Sequence, residues 1–387
     1  MIRRVVHSAD VVVVGGGVVG LATAYNLAKR GVKVALVDRG VIGGGSSTRN
    51  ASRFRVQFGN RENTRYAIEA VRELMRIRSE LNWNPMIRRG GYLWLFRSSE
   101  AMRSFEEINN SIWKPLGASV KLMDSGELAN KYPYINSKLY VGAAFGPQDG
   151  ELHHDYLMYG YLSRLREMGA LIIDETPINK ISVVNGEVKG VEGIGAVVNA
   201  KTVIVTAGAW SGEILKTAGV ELPINAIRKE IGITAPVRFF IEPSLIIDTH
   251  TNAYFGQTLR GEIIGSIEVN EEPGLKPFNN TLKWLRAWAK AMSEVMPASR
   301  RIPLMRIWSG YYEVTPDNSH IMGRLDSWPR GLYVAAGFSG HGLMFGPLTG
   351  RLMADYVLDG KVSPIMEPFL PDRLSKGKLI KEHLVIG

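Results

Sequence analysis

With 387 residues, 45% of them apolar and 22% charged, the chain is long enough for two cores and ordinary in composition. Its net charge of +10 brings no run of basic residues interleaved with aromatics, so nucleic-acid binding is set aside in favour of attraction for anionic ligands or partners. The absence of cysteine excludes disulfides, thiolate metal sites, Cys nucleophiles and a cysteinyl link to a cofactor, and no metal site is expected. Glutamine is confined to Gln57, Gln148 and Gln257, and scarcity of Cys and Gln is a thermophile tendency.

Arg3-Arg4 followed by valines has the outline of a signal peptide. The apolar run 11–14 is too short for one and ends in glycines, so it reads as a buried parallel strand. Gly15 to Gly20 is the turn that follows, then come a helix over 21–30 closed by Gly31 and a strand over 32–37 ending in Asp38. This is G-x-G-x-x-G on Gly15, Gly17 and Gly20, with an acid 23 residues after the first glycine. In such a unit the first glycine permits the tight turn, the second lets a pyrophosphate reach the backbone, and the third lets helix and strand pack closely. Asp38 can accept from a ribose hydroxyl, so the unit predicts dinucleotide binding without separating NAD from FAD.

Residues 41–52 read as a glycine- and serine-rich loop. Helices are expected over 61–81, 100–116, 154–168 and 280–296, and strands over 92–96, 141–145 and 171–173. The 178–191 stretch is expected to be a hairpin turning at Asn185-Gly186. A second buried strand, 202–206, ends at Ala207-Gly208-Ala209-Trp210-Ser211; short β-like runs occupy 223–275, and a long strand is expected over 305–314. A final apolar run, 332–336, enters the turn 337–342 and then a helical pattern over 343–358. That turn gathers backbone N–H groups and a positive helix end at one point. No stretch approaches the ~18–20 apolar residues of a membrane span. A cytoplasmic protein is expected, with any association at the inner membrane face made through partners.

Four of these marks together resemble the D-amino-acid-oxidase-type flavoprotein superfamily. They are Gly15-x-Gly17-x-x-Gly20 with Asp38, the segment 203–211, Thr315-Pro316-Asp317 with Gly323, and Gly337-Phe338-Ser339-Gly340-His341-Gly342. Within it the chain is similar to the sarcosine oxidase β-subunit and, through Arg55-Val56-Gln57-Phe58-Gly59 and the tail 373–387, to the β-subunit of dye-linked L-proline dehydrogenase. The resemblance implies an α/β Rossmann-like FAD-binding domain (1–88, 146–222 and 315–387) with an interleaved α+β substrate-binding domain built on a largely antiparallel sheet (89–145 and 223–314).

Carried over by position, Gly15, Gly17, Val18, Val19 and Gly20 would hold the FAD pyrophosphate, and Asp38 and Arg39 the adenosine side. Ser46, Ser47 and Arg49 would line the cofactor loop, Ile178 would meet the adenine, and Ala207, Gly208 and Trp210 would pass near the flavin. Gly340, His341, Gly342, Leu343 and Met344 would turn N–H groups toward the flavin N1/C2 edge, where reduced flavin is negative. Arg55 is expected to anchor a substrate carboxylate. His341 and Tyr254 stand with it as catalytic candidates, and Gln57, Tyr254, Gln257, Trp308, Tyr312 and Met344 as pocket walls. No histidine lies between His7 and His153, so FAD is expected to be held non-covalently.

Two departures point from an oxidase toward a dehydrogenase. Met344 stands where monomeric sarcosine oxidases carry a lysine for the carboxylate, and the stretch 261–265, matched to their oxygen-activating lysine, has none. The implied activity is oxidation of L-proline or a similar small amine-bearing acid. Electrons would pass to an artificial or protein acceptor, with companion subunits compatible with the resemblance; the alternatives are an oxygen-using amine oxidase of the sarcosine or glycine type and a flavin-bearing electron-relay subunit inactive without partner chains.

Overall fold

A computed structural model describes residues 5–386; Arg3-Arg4 and the final Gly387 of the tail lie outside the described residues. The chain builds a six-stranded sheet in the order Ile321–Gly323, Leu332–Ala336, Thr202–Val205, Val11–Val14, Val34–Val37 and Leu171–Ile173. Every neighbouring pair is parallel except Ile321–Gly323 with Leu332–Ala336. Val11–Val14 and Val34–Val37 are buried throughout, as strands covered on both faces must be.

The helix Val18–Ala28 covers this sheet and packs on the helix Gly342–Asp359. Gly346 and Gly350, one turn apart, set how closely the two helices approach. A Cβ on Gly350 would lie 2.4 Å from the Ala22 backbone carbon, and one on Gly346 3.0 Å from Val18. The first helix begins at Val18, three residues earlier than expected, because the glycine turn itself supplies its first turn.

An eight-stranded sheet runs Leu304–Val314, Asn225–Thr234, Ile263–Ser266, Ala253–Gln257, Leu245–Asp248, Tyr92–Phe96, Gly142–Gly146, Lys121–Asp124. It is antiparallel except where Leu245–Asp248 meets Tyr92–Phe96. Strand alternation gives it two faces. Leu93, Leu95, Ile246, Phe255 and Ile263 pack with Trp284 and Trp288 of the helix Leu282–Val295. Tyr92, Trp94, Leu245, Tyr254, Ile264 and Ile231 face the other way, into the core shared with the first helix.

A third sheet orders Val5–Ser8, Ala196–Asn199, Glu187–Gly193 and Ile178–Val184, with the expected turn at Asn185-Gly186. The sequence reading does not include Val5–Ser8, Ala196–Asn199, Lys121–Asp124 or the short helix Ser125–Lys131. That helix has a capping box, Asp124 with Glu127, which is a sequence-visible start signal. The helix expected over 100–116 is α-helical only as Ser99–Ile108 and widens into a π-turn over Asn109–Trp113.

Candidate active site

Val11–Val14 and Thr202–Val205 lie side by side in register, and their ends open on one crevice. Gly15 leaves its strand at φ 109°, and a Cβ there would sit 2.4 Å from the Thr206 carbonyl oxygen. A Cβ on Gly20 would meet the Gly15 carbonyl at 1.8 Å, so Gly20 serves the packing of helix on strand and is not part of the crevice wall. Gly17 caps the helix with no side chain, and the Val18 N–H donates to Ser47 Oγ at 3.0 Å. Asp38 accepts from the Gly16 N–H at 2.6 Å and the Gly40 N–H at 2.8 Å. Burial raises its pKa, and those two N–H groups oppose the shift.

A cavity of about 830 Å³ leads away from this end. Its walls include Gly15, Gly17, Val18, Val19, Asp38, Arg39, Ser46, Ser47, Arg49, Ile178, Ala207, Gly208 and Trp210. The Ser46 hydroxyl donates to the Tyr311 carbonyl at 2.8 Å and accepts from its N–H at 3.1 Å, which ties the cofactor loop to the strand Leu304–Val314. The Arg39 guanidinium lies 4.6 Å from the Trp210 ring centre, and that of Arg49 lies 4.2 Å from Phe278.

At the far end Gly340, His341, Gly342, Leu343 and Met344 line the same cavity. The helix Gly342–Asp359 starts here with no side-chain cap and no acid in its first turn, so its positive end faces the cavity. Gly340 has φ 92°, and a Cβ would strike the Tyr312 ring at 2.5 Å. One elongated cavity thus meets two helix N-termini, the first beside an acid suited to a ribose and the second at a glycine turn. A dinucleotide carrying an anionic ring edge fits this donor set.

Beyond the second turn the walls are Arg53, Arg55, Tyr92, Lys229, Ile231, Tyr254, Ser266, Tyr312 and Ile386. Arg55 is 2% exposed, and three of its five N–H donors are engaged. Nη1 donates to the Gln57 carbonyl at 2.7 Å, while Nη2 donates to the Leu384 carbonyl and lies 3.1 Å from His341 Nε2. Burial, reinforced by the charge of Arg55, holds the His341 pKa well below the ordinary range. His341 is therefore neutral and accepts through Nε2, with its proton on Nδ1. Its side chain braces Arg55.

Several expected wall residues stand elsewhere. Gln57 is fully buried outside the cavity and donates to the Ala118 carbonyl at 3.2 Å. Gln257 is spent on its neighbours, accepting from the Phe240 and Ile241 N–H groups and donating to the Gly261 carbonyl at 2.9 Å. Trp308 lies on the inward face of its strand opposite Ile231 but outside the cavity lining. Asp317, part of the Thr315-Pro316-Asp317 motif, is not among the cavity walls and pairs with Arg373 at 2.9 Å.

Among the ionisable wall residues that the sequence reading did not include are Lys229 and Glu313. Lys229 projects from Asn225–Thr234 opposite Gly310, with its ammonium 5.5 Å from the Tyr312 ring centre and 3.5 Å from Glu268. The stretch 261–265 carries no lysine, but the adjacent strand supplies Lys229 to the cavity. Glu313 lies deep beside Gly208, accepts from the Phe338 N–H at 3.3 Å, and leaves Oε2 without a partner. Burial raises its pKa to about 7, against the N–H groups of Phe338 and Gly337. Among the described residues no group of three or more His, Cys, Asp or Glu side chains is arranged for a metal, and no helix is long and apolar enough to cross a membrane.

Comparison with known proteins agrees with this site. Residues 10–356 match the family model described as FAD dependent oxidoreductase, DAO. The sarcosine oxidase subunit beta of Rhodobacter capsulatus is 29% identical over 98% of this chain and 91% of its own length. FAD-dependent oxidoreductase domain-containing protein 1 of Bos taurus is 28% identical over 98% of this chain and 87% of its own length. Among solved structures, L-proline dehydrogenase from P. horikoshii superposes with a TM-score of 0.90 at 29% identity, covering 97% of this chain and 100% of that one. Glycine oxidase from Geobacillus kaustophilus, at 22% identity and a TM-score of 0.87 over 94% of this chain and 98% of that one, shares the fold. With its cavity joining two helix N-termini and its family match spanning both, the chain belongs to the DAO family of FAD-dependent oxidoreductases.

Proposed function

We propose that the chain is a dehydrogenase for a small amino acid with a secondary or primary amine, of the L-proline or sarcosine type, holding its FAD non-covalently. The observation that carries this reading is the far end of the cavity, where Lys229 and Arg55 meet Tyr92, Tyr254 and Tyr312 beyond the Gly340 turn. Bound FAD supplies a hydride acceptor for the carbon next to the substrate nitrogen.

The chain supplies orientation and field. The cations of Lys229 and Arg55 attract the substrate carboxylate, and the aromatic walls exclude water around the carbon skeleton. The Gly340–Met344 N–H groups and the helix end behind them favour negative charge at that point of the cavity. Non-covalent attachment is supported by the wall chemistry: it has no cysteine, and His341 is turned to Arg55.

The likeness to a proline dehydrogenase favours an acceptor other than oxygen, and the likeness to a subunit beta favours companion chains. Lys229 on the cavity wall favours a second reading, an oxidase of the sarcosine or glycine type. Anaerobic mixing of the flavin-loaded protein with proline, sarcosine, glycine and D-amino acids tests the main reading. Bleaching of the flavin by an imino or N-methyl amino acid is expected, and no bleaching by any of them would overturn the substrate class. Stoichiometric peroxide in air would select the oxidase.

A further inference from the structure

The segment 382–386 runs as a strap to the substrate end of the cavity, where Ile386 forms part of the wall. Three successive carbonyls of this segment are each taken by a side chain from a different part of the fold. Leu384 O accepts from Arg55 Nη2, Val385 O from Asn252 Nδ2 at 3.3 Å, and Ile386 O from the Tyr312 hydroxyl at 2.9 Å. The strap is latched by Glu382, which is 1% exposed. Its carboxylate accepts from the Gly59 N–H at 2.8 and 3.0 Å, from Asn60 Nδ2 at 3.0 Å and from the Leu384 N–H at 2.8 Å. Its own N–H donates to the Asp317 carbonyl at 2.9 Å.

A phenol has one proton. Tyr312 gives that proton to the Ile386 carbonyl, and burial lifts its pKa to about 12, so it does not ionise in the neutral range. Toward the cavity the Tyr312 oxygen therefore offers only lone pairs. It can accept from an N–H but cannot donate to a carboxylate. Two residues along its own strand from Tyr312 is Gly310, directly opposite Lys229, which places an acceptor and a cation on one wall.

We propose that the strap is the specificity-determining element of the site: by taking the hydroxyl proton, the Ile386 carbonyl makes Tyr312 the acceptor for the substrate nitrogen, and Glu382 is the positioning residue that holds the strap there. The proposal rests on the amino-acid reading of the site. It assigns the nitrogen to Tyr312 and leaves the carboxylate to Lys229 and the remaining donors of Arg55. A ligand with a carboxylate but no N–H then gains nothing from Tyr312, because a site built around a hydrogen bond rejects the analogue lacking it.

The test uses the flavin-loaded protein under anaerobic conditions: the dissociation constant of L-proline is read from the concentration dependence of the flavin bleaching rate in rapid mixing, and that of its nitrogen-free isostere, cyclopentanecarboxylate, from the flavin absorbance change on titration. In the parent chain proline is expected to bind at least tenfold more tightly. In a variant ending at His383, and in Tyr312→Phe, this ratio is expected to fall to about one, with flavin content unchanged. The two changes combined are expected to do no more than either alone. An unchanged ratio in the shortened variant, or additive effects, would overturn the proposal. If neither ligand perturbs the flavin of the parent chain, the amino-acid reading fails, and the latch is still read by hydrogen exchange without ligand. Glu382→Gln is expected to speed amide exchange at Gly59 and Leu384 at least tenfold, and unchanged exchange there would overturn the strap.

Discussion

Single residues decide charge in this cavity. Lys229 sits 3.5 Å from an exposed glutamate and otherwise faces the aromatic wall. Lys229→Met removes a charged partner worth about 1.5–3 kcal/mol, so kcat/KM for a carboxylate substrate should fall roughly 10- to 100-fold, mainly through KM. Steady-state kinetics with a dye acceptor checks this. Glu313 gives a pH dependence of defined sign. Its pKa rises from an ordinary 4.5 to about 7 in the folded chain, so the native state holds an extra proton between those values. The associated stability is fully present below pH 4.5 and lost as pH rises through 7. Allowing for wetting by the cavity, Glu313→Gln should stabilise the protein by on the order of 1–2 kcal/mol at pH 8 and change little at pH 4.5. Thermal melts at the two pH values read the difference.

At the scale of elements, the contact between Val18–Ala28 and Gly342–Asp359 joins the two ends of the cofactor cavity. Each helix presents its N-terminus to the cavity, so their spacing sets the distance between the two donor clusters. Gly350→Val would force a side chain into the Ala22 backbone, where a Cβ has only 2.4 Å. Overpacking of this kind costs about 1–3 kcal/mol and shifts backbone. A lower urea midpoint together with weaker flavin retention is expected, whereas loss of stability with flavin affinity intact would show that the helix pair does not set the site. The glycine motif was legible because strand, turn, helix and acid are neighbours in sequence. Gly346 and Gly350 were not, since their partners lie more than 320 residues away.

For the whole molecule, the last stretch of the chain ties the sheets to the site. Arg373 holds Asp317 through Nε–Oδ2 at 2.9 Å and Nη2–Oδ1 at 3.1 Å, and the Asp317 side chain is fully buried. Arg373→Met would leave that carboxylate uncompensated, at a cost of about 3–5 kcal/mol. Chemical denaturation should show the loss, and Asp317→Asn in the same chain should recover part of it. Because Asp317 also receives the Ile380 N–H at 3.0 Å, the single variant should loosen the 380–386 segment as well.

The sequence by itself determined the family, the cofactor class and both glycine turns, because those features are local backbone requirements written in consecutive residues. It also placed Arg55, Tyr254 and Tyr312 among the wall candidates. Only the tertiary structure decided what those side chains are free to do. Arg228 and Lys229 are neighbouring cations in the sequence, yet strand alternation turns Lys229 toward the cavity while Arg228 pairs with Glu271 at 2.5 Å. Gln57 and Gln257 read as polar wall residues, yet buried carbonyl and N–H groups from distant loops claim them. Arg55 and Tyr312 give protons to carbonyls some 329 and 74 residues along the chain. Hydrogen-bond capacity is finite, and which partner uses it depends on contacts between segments that no local pattern encodes.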